Sequence, residues 1–237
     1  MEKQLSQLVE KLKAAAGPNL RSVVLYGSAV AGDFHPKHSD LNVLCVVNRL
    51  DAVALEKLNP VVHWWARRGR SGPLVLAFEE LERSADIFAI ELLDIKASHR
   101  VLDGQDVFAS LEVPMSLHRL QVERELKASL IRLRQRFLSG SHTARSLLGL
   151  MTASVSSFAA LFRHLLIALG EPAPNGKRET VERLAAVLGF DAAPFAHLLD
   201  VREARKKVAE VDVVATFRAY LGTIERVTDE VDRRFAA

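Results

Sequence analysis

The chain has 237 residues, enough for one large domain or two small ones around a buried core. Hydrophobic residues make up 49% and charged residues 26%, the balance of a soluble globular protein. The net charge of +3 mildly favours an acidic ligand, but Lys and Arg are interleaved with Asp and Glu almost everywhere, which argues against a sequence-specific nucleic-acid binder.

Residues 2–16 carry Leu5, Leu8, Val9 and Leu12 at helical spacing and stop at Gly17-Pro18. The amphipathic stretch from Met1 to Lys13 lacks the order of a signal peptide, and nowhere do about 18 apolar residues run uninterrupted, so no membrane span is expected. The apolar run Val23-Val24-Leu25-Tyr26 stops at Gly27-Ser28, a polar loop follows, and Ser39-Asp40-Leu41-Asn42 opens a second run from Val43 to Val47. This predicts strand, glycine turn, loop, strand. Strand side chains alternate between faces, so Asp40 and Asn42 point the same way, roughly 6 to 7 Å apart. Two oxygen-bearing side chains thus meet a Gly-Ser turn whose backbone N–H groups can hold an anion. The only cysteine, Cys45, lies in the second apolar run; it excludes an internal disulfide and predicts a cytoplasmic protein. In the intervening loop, His35, Lys37 and His38 are read as a solvated surface, with phosphate or metal contact as the alternative.

Two other phosphate motifs fail here. Gly27 to Gly32 has the glycine spacing of a Walker A loop, but Asp33-Phe34 stands where Lys and Ser or Thr are needed. A dinucleotide-binding G-x-G-x-x-G lacks its middle glycine. No Cys/His set has zinc spacing, and there is no G-x-S-x-G elbow.

Gly27-Ser28, Gly32 and Ser39-Asp40-x-Asn42 resemble the signature of the polymerase β-type nucleotidyltransferase superfamily, in which Gly-Ser precedes Asp-x-Asp or Asp-x-Glu. The resemblance spans roughly residues 20 to 95. It implies transfer of a nucleoside monophosphate from a nucleoside triphosphate to an acceptor, with release of pyrophosphate. It also implies nucleotide binding by Gly27, Ser28 and Ser39, magnesium or manganese held by Asp40 and the residue at 42, and a third carboxylate on a neighbouring strand. This chain departs from the pattern at Asn42. An amide oxygen can still ligate magnesium, but one missing charge at about 4 Å is worth several kcal/mol even at an effective dielectric near 20. In a two-metal phosphoryl-transfer site that is several decades in rate. Two readings follow: a working transferase with an altered metal shell, or a nucleotide-binding or interaction protein that keeps the fold without turnover.

A helical segment from Asp51 to Arg68 is expected to bend or break at Asn59-Pro60, with Trp64 and Trp65 packing or lining a pocket. A short strand is expected from Pro73 to Phe78 and a helical turn from Glu79 to Ser84. Asp86 to Lys96 is read as a further strand, with Glu91 among apolar neighbours. A carboxylate in mid-strand is costly unless a partner or metal compensates it. Glu91 is therefore the candidate third carboxylate, catalytic and metal-binding, with Asp94 or a structural salt bridge as alternatives. Lys96, His99 and Arg100 follow, as triphosphate contacts or as solvated charges.

After Gly104 the pattern turns helical. Pro114 precedes a long helix with Leu126, Leu130, Leu133 and Phe137 on one stripe, and residues 143–169 are apolar almost all round, as the centre of a bundle would be. Further helices are expected at about 177–188, 192–207 and 211–235. On the first long helix Arg124, Lys127 and Arg134 share a side, and Arg136 with His142 only loosely matches helical ribonuclease toxins. The expected fold is α+β: a nucleotidyltransferase-type mixed sheet flanked by helices over 1–113, then an all-α bundle over 114–237. This arrangement resembles the aminoglycoside nucleotidyltransferases and the bacterial minimal nucleotidyltransferases. There the helical part forms an acceptor site or a dimer surface, which implies a possible homodimer through the helical domain.

Overall fold

The computed structural model describes residues 1–31, 40–140, 143–203, 205 and 212–235. The chain divides into two compact units, Met1–Met115 and Ser116–Ala237.

The first unit is built on four strands, β1 (Leu20–Tyr26), β2 (Asn42–Val47), β3 (Leu74–Ala77) and β4 (His99–Gly104). Their order in the sheet is β3-β2-β1-β4, with β1 antiparallel to both β2 and β4, and β2 parallel to β3. Helices cover both faces, which is why β1 and β2 read as continuous apolar runs rather than as alternating ones. On one face Val23, Leu25, Val43, Cys45 and Val47 pack with α1 (Glu2–Ala16) and α3 (Ala52–Ala66), through Leu5, Leu8, Leu12, Leu58 and Trp65. On the other, Val24, Leu44 and Val46 pack with α4 (Phe78–Arg83) and α5 (Ala89–Ala97), through Leu81, Leu92 and Ile95, and with Phe108. A four-residue helix, α2 (Ser28–Ala31), follows β1.

Two expectations are corrected here. The segment Asp86 to Lys96 is no strand: α5 occupies it, with Ala89, Leu92 and Ile95 buried at three-residue spacing. Its composition of Ala, Glu, Leu and Lys favours a helix, and that period fits the burial better than alternation does. The strand comes just after it, as β4, which pairs with β1 from Tyr26↔His99 to Ser22↔Gly104. Finally, the segment from Asp51 does not break at Asn59-Pro60: α3 runs through Pro60 as one helix, capped by the Asp51 side chain, which accepts from the Ala54 N–H. Trp65 is fully buried, while Trp64 carries the Lys11 and Arg68 cations over its ring.

Cys45 lies in this core with no exposure. Burial pushes its thiol up to about 12, because a thiolate has no compensating charge there. At pH 8 the native thiol is therefore expected to react with iodoacetamide about a thousandfold more slowly than the thiol of the urea-unfolded chain. The contribution to stability is full below the unfolded thiol's pKa, near 9, and is lost as pH rises from there towards 12. Equal labelling of native and unfolded protein would contradict this burial.

The second unit is all helical: α6 (His118–Ser139), α7 (Ala144–Ala168), α8 (Lys177–Leu188), α9 (Ala193–Arg202) and α10 (Val213–Phe235). Thr143 caps α7 by accepting from the Ser146 N–H. Among the described helices only α7 is long and apolar enough to cross a membrane. It packs against α6, α8, α9 and α10, and Met151, Val155, Phe158, Phe162, Leu165 and Leu166 are buried along it. The cations proposed on α6 are paired: Lys127 with Glu123 and Asp232, Arg134 with Glu225, and Arg124 with Glu125 at 3.9 Å.

Candidate functional site

The site forms where β1 ends and β2 begins. Tyr26 pairs with Asn42 across the antiparallel register, so the turn at Gly27 lies beside the start of β2. Gly27 has φ +76°, and a Cβ built on it would come within 2.9 Å of Asn42 Nδ2. The positive φ favours glycine, and a side chain here would have to push the Asn42 amide aside. Asn42 shares its strand face with Leu44 and Val46, the face that α4 and α5 cover.

Two residues earlier, both oxygens of Asp40 are engaged. Oδ1 accepts the N–H of Leu41 at 2.7 Å, and Oδ2 accepts the N–H of Ser71 at 2.7 Å. The Arg70 guanidinium stands 3.9 Å from Oδ1. Burial alone would raise the Asp40 pKa. The Ser71 and Leu41 hydrogen bonds and the Arg70 charge outweigh it and hold the carboxyl below the usual carboxylate range.

Arg70 and Ser71 come from the basic turn Arg67-Arg68-Gly69-Arg70-Ser71-Gly72 between α3 and β3. Because β2 and β3 run parallel with Leu44 opposite Leu74, the residues just before each strand lie side by side. The parallel crossover thus delivers a guanidinium to Asp40. Neither residue stood among the sequence candidates; the clue was a basic, glycine-flanked run leading into a strand that parallels β2.

The structure sets Gly27 against Asn42 and, two residues earlier on the chain, Asp40 against Ser71 and Arg70. Ser28 begins α2 beside this group, and Ser39 lies outside the described residues, as do Gly32, the histidine loop and His142. Glu91 is not on a neighbouring strand. It lies in the first turn of α5 and is exposed, so the cost that singled it out is not incurred. Neither strand adjacent to β2 carries an Asp or Glu: β1 reads LRSVVLY and β3 reads LVLA. Among the described residues no three His, Cys, Asp or Glu side chains gather closely enough to hold a metal ion. The cations suggested for the triphosphate have other partners. Lys96 donates to the Leu111 carbonyl, His99 contacts Asp106 at 3.1 Å, and Arg100 pairs with Glu2.

The spectinomycin adenyltransferase AAD(9) from Enterococcus faecialis, solved with ATP and spectinomycin, superposes with a TM-score of 0.56. The match covers 94% of this chain and 98% of that one at 14% identity. The fold is that of a nucleotidyltransferase. A toxin-antitoxin structure with AMP-PNP aligns with a TM-score of 0.33 at 23% identity, over 50% of this chain and 91% of that one. No protein-family model matches the sequence, and no curated protein matches it significantly. On this nucleotidyltransferase fold, the strand end that carries Asp40 and Asn42 is lined by one carboxylate, one amide and one guanidinium.

Proposed function

We propose that this protein binds a nucleoside triphosphate at the Gly27-Ser28 turn, beside Asp40, and that nucleotidyl transfer at this site is silenced or reduced by decades. The observation that carries the reading is the state of Asp40: two backbone N–H groups hold its oxygens, and a guanidinium stands 3.9 Å from Oδ1. Magnesium or manganese would meet one spoken-for carboxylate, the Asn42 amide, and no acidic residue on the adjacent strands. Hard divalent ions take oxygen ligands and need their charge offset, and this donor set does not fit a two-ion site. The backbone N–H groups after the positive-φ glycine can still receive phosphate oxygens. The buried free Cys45 agrees with a reducing, cytoplasmic setting.

The second reading is a working transferase that passes a nucleoside monophosphate to an acceptor. It draws on the likeness to the adenyltransferase, which extends over 94% of this chain and whose structure holds ATP and spectinomycin.

The test presents the protein with ATP, GTP, CTP and UTP, with magnesium or manganese and a pool of aminoglycoside and hydroxylated acceptors. Nucleotide binding and pyrophosphate release are followed together. Saturable binding that is lost in Gly27→Val, with no release above background, is the expected result. Release that disappears in Asp40→Ala would establish the transferase instead, and absence of binding to all four nucleotides would sink both readings. Turnover gained by Asn42→Asp would identify that amide as the element that silences the site.

A further inference from the structure

The misfit between this donor set and a divalent ion points to what neutralises the phosphates. We infer that Arg70, held beside Asp40, supplies the fixed positive charge that a metal ion would otherwise bring, so that the site binds a nucleoside triphosphate without divalent metal. This rests on the nucleotide-binding reading above and assigns the source of its positive charge.

Four observations carry it. The Arg70 side chain is 25% exposed, so its charge acts through a medium less screening than bulk water. Its position is set by the backbone: the Ser71 N–H bond to Asp40 Oδ2 at 2.7 Å ties the turn to the head of β2. At 3.9 Å from Oδ1, Arg70 neutralises Asp40 without spending a short hydrogen bond on it, and among the described residues its other polar contact is a 3.5 Å approach to Gln4. The guanidinium fork thus keeps donors for a phosphate, which it can meet in bidentate fashion. Lastly, no other carboxylate on β1, β2 or β3 competes for that charge.

Asp40 and a phosphate would then compete for one guanidinium. The sign of this competition separates a metal ligand from a counter-ion: removing the Asp40 charge weakens metal-dependent binding but strengthens binding that depends on Arg70.

The experiment measures binding of ATP to the full chain by calorimetry, once in EDTA and once in excess magnesium, for the native protein, Arg70→Ala, Arg70→Lys and Asp40→Asn. Expected are native affinities within about threefold of each other in the two buffers. In EDTA, Arg70→Ala should lose roughly tenfold or more, as for a hydrogen bond to a charged group, and Asp40→Asn should bind more tightly than native. Arg70→Lys keeps the charge without the fork and should fall between; it also serves if Arg70→Ala does not fold. Binding seen only with magnesium, equal EDTA affinities in native and Arg70 variants, or weaker binding in Asp40→Asn would each overturn this inference while leaving nucleotide binding intact. No binding in either buffer would instead overturn the nucleotide-binding reading, and this one with it.

Discussion

Replacing Phe162 by alanine is expected to destabilise the helical unit by about 3 to 5 kcal/mol, a factor of hundreds to thousands in its folded population. Phe162 is fully buried on α7, and its ring meets Phe195 at 5.1 Å, Phe190 at 6.1 Å and Phe158 at 6.5 Å between centroids. Phe195 and Phe158 in turn contact Tyr220 of α10, whose hydroxyl meets Ser154 Oγ at 2.9 Å. Truncation therefore removes buried area and aromatic contact and leaves a cavity that three other rings must fill. Hydrogen exchange of the α7 and α9 amides is the suitable measurement, because a chain of two compact units need not melt in one step. Protection should fall by hundreds-fold or more in the alanine variant and much less in Phe162→Leu, which keeps most of the volume. Unchanged protection in Phe162→Ala would contradict the placement of this ring at the centre of the bundle.

A second large loss is expected at Gly104, the last residue of β4. Its φ is +81°, and a Cβ built there would lie 2.2 Å from the Arg21 carbonyl oxygen, 3.0 Å from Arg21 C and 3.1 Å from Ser22 Cα. All three atoms are backbone, so no side chain can swing away to relieve the contact. They belong to β1, where the register with β4 shifts between Val23 and Val24. Gly104→Ala combines left-handed strain with displacement of a central strand, and about 3 kcal/mol or more is expected. Trp64 and Trp65 both lie in the same unit, so their fluorescence in a urea titration reports on it directly. A midpoint within error of the native one would mean that the start of β1 can move aside cheaply.

What the sequence made legible follows how far apart the interacting residues are. α1 and the helices of the second unit were readable because their apolar period and their stops, such as Gly17 and Gly170, are local. β1 and β2 were readable because both faces are covered, which leaves an unbroken apolar run between turn residues. The confusion over α5 and β4 has a physical origin. A short apolar helix lying flat on a sheet buries Ala89, Leu92 and Ile95 but only partly buries Leu93 and Asp94, so its sequence mimics an interior strand. β4 itself, HRVLDG, has few β-formers and is held by pairing with β1 rather than by propensity. At the candidate site, Gly27, Asp40 and Asn42 lie within one hairpin-like stretch and declare themselves. Ser71 and Arg70 reach Asp40 from 31 and 30 residues away through a parallel crossover, and single-sequence reasoning has no local signal for that pairing.

The strand order also determines what the sheet can recruit from outside. Its two rims are β3, only four residues long and preceded by Pro73, and β4, which carries Arg100 and Asp103 and ends at Gly104. A brief rim behind an imino acid and a charged one closed by a kink both resist the addition of a foreign strand. Edge-to-edge polymerisation through this sheet is thereby discouraged.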